Sequence, residues 1–191
     1  NLNAYTMHKK IAVVQTIFCP TRKMLNFQLS SLKTFSEYLN GYSRNDIDII
    51  FAGYVDEEYY AELVSALKKY FYKKCKFIRF KKNYGKAYIV NDVLREYLTN
   101  NNTTEYVFTF DSDICFYTDQ EDIIQRLINI YTDDRKVGLI ACNFTGDNAH
   151  WISKFENKIS INGETIVYPT APVGIAGGCI FVSTKAWKEV G

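Results

Sequence analysis

Asp111 and Asp113 stand one residue apart at the end of an apolar run, in the segment YVFTFDSDICFY from Tyr106 to Tyr117. Two like charges so close repel, and the pair is costly unless a cation or donor hydrogen bonds offset it. A chain of this length carries an Asp-x-Asp by chance about half the time, so position gives the pair its weight. The run before Asp111 reads as a strand, which puts both carboxylates at its carboxyl end. In a parallel α/β sheet, ligands bind beyond that edge. There two hard oxygen donors suit a divalent cation, Mn2+ or Mg2+, that in turn holds a diphosphate. The structural alternative is a hydrogen-bonded turn. Asp46 and Asp48 repeat the spelling but open a strand, which places them on the opposite edge as solvated charges.

Other phosphate and nucleophile devices fall away. Gly85-Lys86 lacks the upstream glycine and the downstream Ser or Thr of a P-loop. Gly174, Gly177 and Gly178 do not spell a dinucleotide fingerprint after a first strand. His8 and His150, with five scattered cysteines, make no zinc pattern. No G-x-S-x-G elbow is present.

The elements that must position the pair follow one alternation. KKIAVVQTIF reads as a buried strand, and Leu25, Leu29, Leu32 and Phe35 behind it fall at helical spacing. DIDIIFAGY is a second strand. DEEYYAELVSALKKYF is a second helix, acidic in its first turn and basic near its last. CKFIRF, KAYIVNDVLREYL and EYVFTF continue as strand, helix and strand. This order predicts right-handed crossovers and a parallel sheet. Beyond Asp113 the pattern changes. DQEDIIQRLINIY reads as helix, VGLIACNF as strand, and KISINGETIVY as a hairpin around Asn162-Gly163. GIAGGCIFV leads from a glycine-rich turn into a strand, and STKAWKEVG starts a helix capped by Ser183 or Thr184.

The whole chain fits that reading. Its 191 residues suit one domain, and 47% hydrophobic with 23% charged residues is a globular balance. A net charge of +2 does not indicate nucleic acid as a partner. No apolar stretch approaches the roughly 20 residues of a membrane span, and the N-terminus shows no signal-peptide core. With an odd, dispersed set of cysteines, the expectation is a reducing, cytoplasmic setting. The sequons at Asn101, Asn102 and Asn143 then carry no meaning.

In the order VVQTIFCPTR, KKNYGKAYIVN, FTFDSDICF and GGCIFVSTKAWKEVG, the chain resembles the family 2-like glycosyltransferases of the GT-A fold. The resemblance covers nearly the whole length. It implies an α/β fold, a mostly parallel sheet with helices on both faces plus a small antiparallel addition. Residues 1–113 would form the nucleotide-binding half and 114–191 the acceptor side. It also implies metal-dependent, inverting transfer of a sugar from a nucleotide-diphospho sugar, by default a UDP-sugar, to an unidentified acceptor hydroxyl. Asp113 would be the principal metal ligand, with Asp111 on the ribose or the metal and Ser112 between them. Thr16 and Phe18 would lie near the base. Asn83, Gly85, Lys86 and Asn91 would line the nucleotide-sugar pocket, with Lys86 on the diphosphate. Gly177 and Gly178 would admit close backbone approach.

Two departures accompany the likeness. Where the family carries an acidic residue to read the base, this chain has Ala52-Gly53-Tyr54, with Asp56 the nearest substitute. The family's catalytic base lies beyond the glycine-rich strand, which places it past Gly191. Glu189 follows Gly178 but reads as a solvated charge, and Asp147 and Glu164 become the residues to test if the base lies upstream. The rival readings are a non-catalytic nucleotide-sugar-binding domain and a sugar-phosphate nucleotidyltransferase. The latter would want a glycine- and arginine-rich loop after the first strand, where TIFCPTR has no glycine.

Overall fold

The computed structural model describes residues 10–42, 46–72, 74–117, 122–133, 137–142, 157–161, 163–168 and 178–190. The alternation forms as expected: β1 (Lys10–Cys19), α1 (Arg22–Gly41), β2 (Ile47–Val55), α2 (Glu57–Phe71), β3 (Cys75–Phe80), α3 (Lys86–Asn100) and β4 (Thr104–Phe110). After these come α4 (Ile123–Asp133), β5 (Leu139–Ala141), β6 (Asn157–Ile161), β7 (Glu164–Tyr168), β8 (Cys179–Ser183) and α5 (Thr184–Val190).

Six strands make one sheet in the order β3-β2-β1-β4-β8-β5. β1 pairs in parallel with β2 and with β4, and β2 in parallel with β3. β8 runs antiparallel between β4 and β5. Apart from Lys10, Gln15 and Thr16, β1 is apolar because both of its faces are covered, as in other sheets with crossover helices. Ile11, Val13 and Ile17 enter the larger core with α1, α2 and α4, while Ala12 and Val14 enter the smaller one with α3.

The helices obey their sequence signals. Leu25, Leu32 and Phe35 are fully buried on one face of α1, the stripe that a 3.6-residue period dictates. The Phe35 ring lies 5.0 Å from those of both Phe110 and Phe116, which ties α1 to the end of β4 and to the loop beyond it. Thr21 caps α1 by accepting from the Met24 amide, and Asp56 caps α2 by accepting from the Glu58 amide. Of the two expected caps for α5, Ser183 serves, accepting from the Ala186 amide at 3.1 Å. The Thr184 hydroxyl instead donates to the Thr104 and Glu105 carbonyls.

The second half is less regular than its pattern. Of the six described residues of VGLIACNF, three form β5. The described part of α4 starts at Ile123, with the Asp122 carboxylate accepting from the Gln125 amide. β6 and β7 pair from Asn157↔Tyr168 to Ile161↔Glu164 as a separate two-stranded sheet. Their turn uses Gly163 at φ 81°, a conformation that glycine adopts without strain.

Candidate functional site

From β1 the sheet grows to one side through β2 and to the other through β4. The carboxyl ends of β1 and β4 therefore flank the point where strand order reverses, and crevices for ligands form there. Thr16 near the end of β1 and Asp111 just past β4 meet across this point, the Thr16 hydroxyl donating to Asp111 Oδ1 at 3.4 Å. Lys86, the first residue of α3, brings its Nζ to 2.7 Å from the same oxygen. The Asp111 amide donates to the Gly178 carbonyl at 2.8 Å. Asp111 thus joins three parts of the chain, its carboxylate meeting residues from β1 and α3 and its backbone amide the residue just before β8.

Its neighbour differs. Ser112 is buried, whereas Asp113 is exposed and engages no partner among the described residues. The Ile114 amide closes the turn on the Asp111 carbonyl at 3.4 Å. Beneath it lies a polar cluster not singled out in the sequence. The Gln15 amide nitrogen donates to Ser31 Oγ at 2.6 Å and to the Asp111 carbonyl at 3.2 Å, and the Ser31 hydroxyl donates to the Ile114 carbonyl. The signal was available: Gln15 interrupts an apolar strand, and a buried amide is costly without partners.

The other expected residues fall into four groups. Phe18 is 36% exposed at the carboxyl end of β1. Asn83 accepts from the Gly85 amide at 2.9 Å, and Gly85 has φ 83° at the start of α3, so this pair forms the turn that presents Lys86. Asn91 lines a groove of about 280 Å³ between α3 and α5, with Leu94, Leu98 and Trp187. Gly177 lies outside the described residues, as does Asp147.

Asp56, the nearest acidic residue to the expected base-reading position, lies at the carboxyl edge, its amide bonded to the Cys19 carbonyl at 3.1 Å. Its carboxylate caps α2 and accepts from the Tyr54 hydroxyl. Gly53 is held by close packing, because a Cβ there would lie 2.0 Å from the Ile17 carbonyl oxygen. Glu189 is exposed on α5, which starts where β8 pairs with Tyr106 rather than at the Asp111 end.

Two findings adjust the sequence reading. Asp48 lies on the opposite edge as expected, but it is not merely solvated. It pairs with Lys10 at 2.9 Å and accepts from the Tyr97 hydroxyl. Partial burial would raise its pKa, but the bonds from Tyr97 and Lys10 outweigh that and leave it below the ordinary carboxylate value. Cys142 and Cys179 are not scattered singly: their thiols share a hydrogen bond. That bond, with burial, holds Cys179 well above the ordinary thiol value.

The donor set can be weighed against a divalent cation. No three His, Cys, Asp or Glu side chains converge among the described residues. Mg2+ and similar hard cations need no such cage, because one or two carboxylates, phosphate oxygens and water complete their coordination. Asp113 is open, and Asp111, already facing Lys86, stands two residues away. The residues fit the group.

No family model matches this chain, and no curated protein matches it. Solved structures do. The mannosyltransferase PcManGT from Pyrobaculum calidifontis, in complex with GDP-Man and Mn2+, superposes with a TM-score of 0.64 at 12% identity over 97% of this chain. TarS 1-349 from S. aureus gives 0.56 at 12% identity over 94%. This chain spans 48% of each of those chains. The 4-diphosphocytidyl-2C-methyl-D-erythritol synthase from Anaerococcus prevotii gives 0.51 at 16% identity, covering 93% of this chain and 71% of that one. The fold is the GT-A fold of nucleotide-diphospho-sugar transferases.

Proposed function

We propose that this chain forms a glycosyltransferase domain, which moves a sugar from a nucleotide-diphospho sugar, by default a UDP-sugar, to an acceptor hydroxyl. The observation that carries the reading is the placement of Asp111 and Asp113 at the carboxyl end of β4, with Thr16, Lys86 and Gly178 gathered on Asp111. Residues 1–113 supply the nucleotide side and 114–191 the acceptor side.

In this reading the base lies over the end of β1, near Thr16 and Phe18, and the Asn83–Gly85 turn presents Lys86 to the diphosphate. Asp113, with Asp111, would hold Mn2+ or Mg2+, whose charge offsets that building on the departing diphosphate. Lys86 adds fixed positive charge at the same place, where preorganised electrostatics contribute most to group transfer. The acceptor hydroxyl attacks the anomeric carbon opposite the leaving group, with inversion.

The nucleotidyltransferase reading meets a specific obstacle. Only Pro20 and Thr21 separate β1 from α1, too short a link to wrap a triphosphate. The test is calorimetry of UDP with and without Mn2+, on the chain and on Asp113→Ala. Mn2+ should strengthen UDP binding to the chain by at least tenfold and not to the variant. Equal affinity in all four titrations would overturn the reading.

A further inference from the structure

We infer that Gln15 and Ser31 are positioning residues for the Asp111–Ile114 turn, setting how tightly its carboxylates hold a divalent cation. The inference rests on the reading of Asp111 and Asp113 as cation-holding residues.

Both side chains are fully buried, Gln15 on β1 and Ser31 on α1. Apolar residues at these places would pack without polar cost, so the bonds they make deserve explanation. The Gln15 amide reaches the Asp111 carbonyl at 3.2 Å, and the Ser31 hydroxyl reaches the Ile114 carbonyl. These are the first and last carbonyls of one four-residue turn. A further bond joins the two clamps, from Gln15 Nε2 to Ser31 Oγ at 2.6 Å. One helical turn along α1, the Thr34 hydroxyl oxygen accepts from the Phe116 amide at 3.1 Å. The loop past β4 is thereby bound to α1 and β1 from below, while Asp113 stays open above.

The sense of the Gln15 amide follows from its partners, since a carbonyl oxygen can only accept. That leaves Gln15 Oε1 buried without a partner among the described residues, and both amide atoms of Gln28, one turn before Ser31, are in the same state. An unpartnered buried amide oxygen is costly, and an apolar residue in place of Gln15 would avoid that cost. Fixed geometry for the turn is the return on that cost. Groups that orient metal-holding side chains typically change metal affinity about 10- to 100-fold when removed.

Ser36 supplies the control. It is another buried hydroxyl on α1, and it donates to the Tyr70 carbonyl at 2.9 Å, away from the turn. The experiment measures Mn2+ affinity by calorimetry in the presence of saturating UDP, with GDP in parallel, for the chain, Ser31→Ala, Gln15→Met and Ser36→Ala. Thermal unfolding is followed for each. Ser31→Ala and Gln15→Met should weaken Mn2+ about tenfold, with metal-free nucleotide affinity changed less than about twofold. Ser36→Ala should lower the unfolding midpoint comparably and leave Mn2+ affinity unchanged. Folded Ser31→Ala and Gln15→Met proteins with the parent Mn2+ affinity would overturn the positioning role alone. An equal loss in Ser36→Ala would overturn it as well, by showing a general effect of stability. If the parent chain shows no Mn2+ dependence with either nucleotide, the underlying reading falls and this inference with it.

Discussion

Replacing the two aspartates one at a time should separate their roles before any ligand is added. Asp111 Oδ1 lies 2.7 Å from Lys86 Nζ, with 38% and 26% of their side chains exposed. At an effective dielectric constant near 20, attraction at that distance is about 6 kcal/mol gross. Desolvation and the ordering of two side chains consume most of it, and exposed pairs retain only about 0.2–1 kcal/mol. Partial burial and the Thr16 bond put Asp111→Asn at the upper end, a loss of about 1 kcal/mol. For a chain of this size that lowers the unfolding midpoint by about 2–4 °C. Asp113 is exposed and without partners among the described residues, so Asp113→Asn should stay within about 0.5 kcal/mol of the parent. Differential scanning calorimetry in metal-free buffer measures both, and calorimetric titration with UDP and Mn2+ then follows. Both variants should lose the Mn2+-dependent part of binding, though only Asp111→Asn loses stability. A midpoint lowered by Asp113→Asn and untouched by Asp111→Asn would refute the assignment of the inward and outward carboxylates.

Three further outcomes follow from features outside that turn. Replacing Asp46 and Asp48 together with Asn should leave nucleotide affinity within about twofold, because they lie on the opposite edge of the sheet. The folded Asp48 carboxyl titrates below its unfolded value, so its stabilising effect is fully present above the unfolded pKa and fades as pH falls through the folded one. Denaturant unfolding of Asp48→Asn across the acid range should therefore show a shallower decline than the parent. An unchanged slope would remove Asp48 from the account. Gly53→Ala should cost at least about 3 kcal/mol, since its methyl would meet the Ile17 carbonyl at 2.0 Å and overpacking adds to a strained backbone. A melting temperature within 2 °C of the parent would show that β1 and β2 can separate locally.

The alternating first half was legible from residue pattern because each element buries its own stripe. Cys75–Phe80 matched its strand residue for residue, and the acidic start and basic end of α2 were visible in DEEYYAELVSALKKYF. The place of Asp111 and Asp113 was legible too, since an apolar run of strand length ends immediately before them. What pattern could not supply was partnership across the chain. Cys179–Ser183 reads only as a short apolar strand, and its antiparallel insertion between β4 and β5 depends on pairing with residues about 40 and 70 positions away. Lys86 and Asp111 are 25 residues apart, and nothing local announces that α3 starts beside the end of β4. Gln15, Ser31 and Ile114 meet only because β1, α1 and the turn pack together. Local sequence determines which stretches become helix or strand, through periodicity and caps. The chemistry at the sheet edge is decided by packing, because hydrogen bonds and ion pairs act over a few ångströms regardless of separation along the chain.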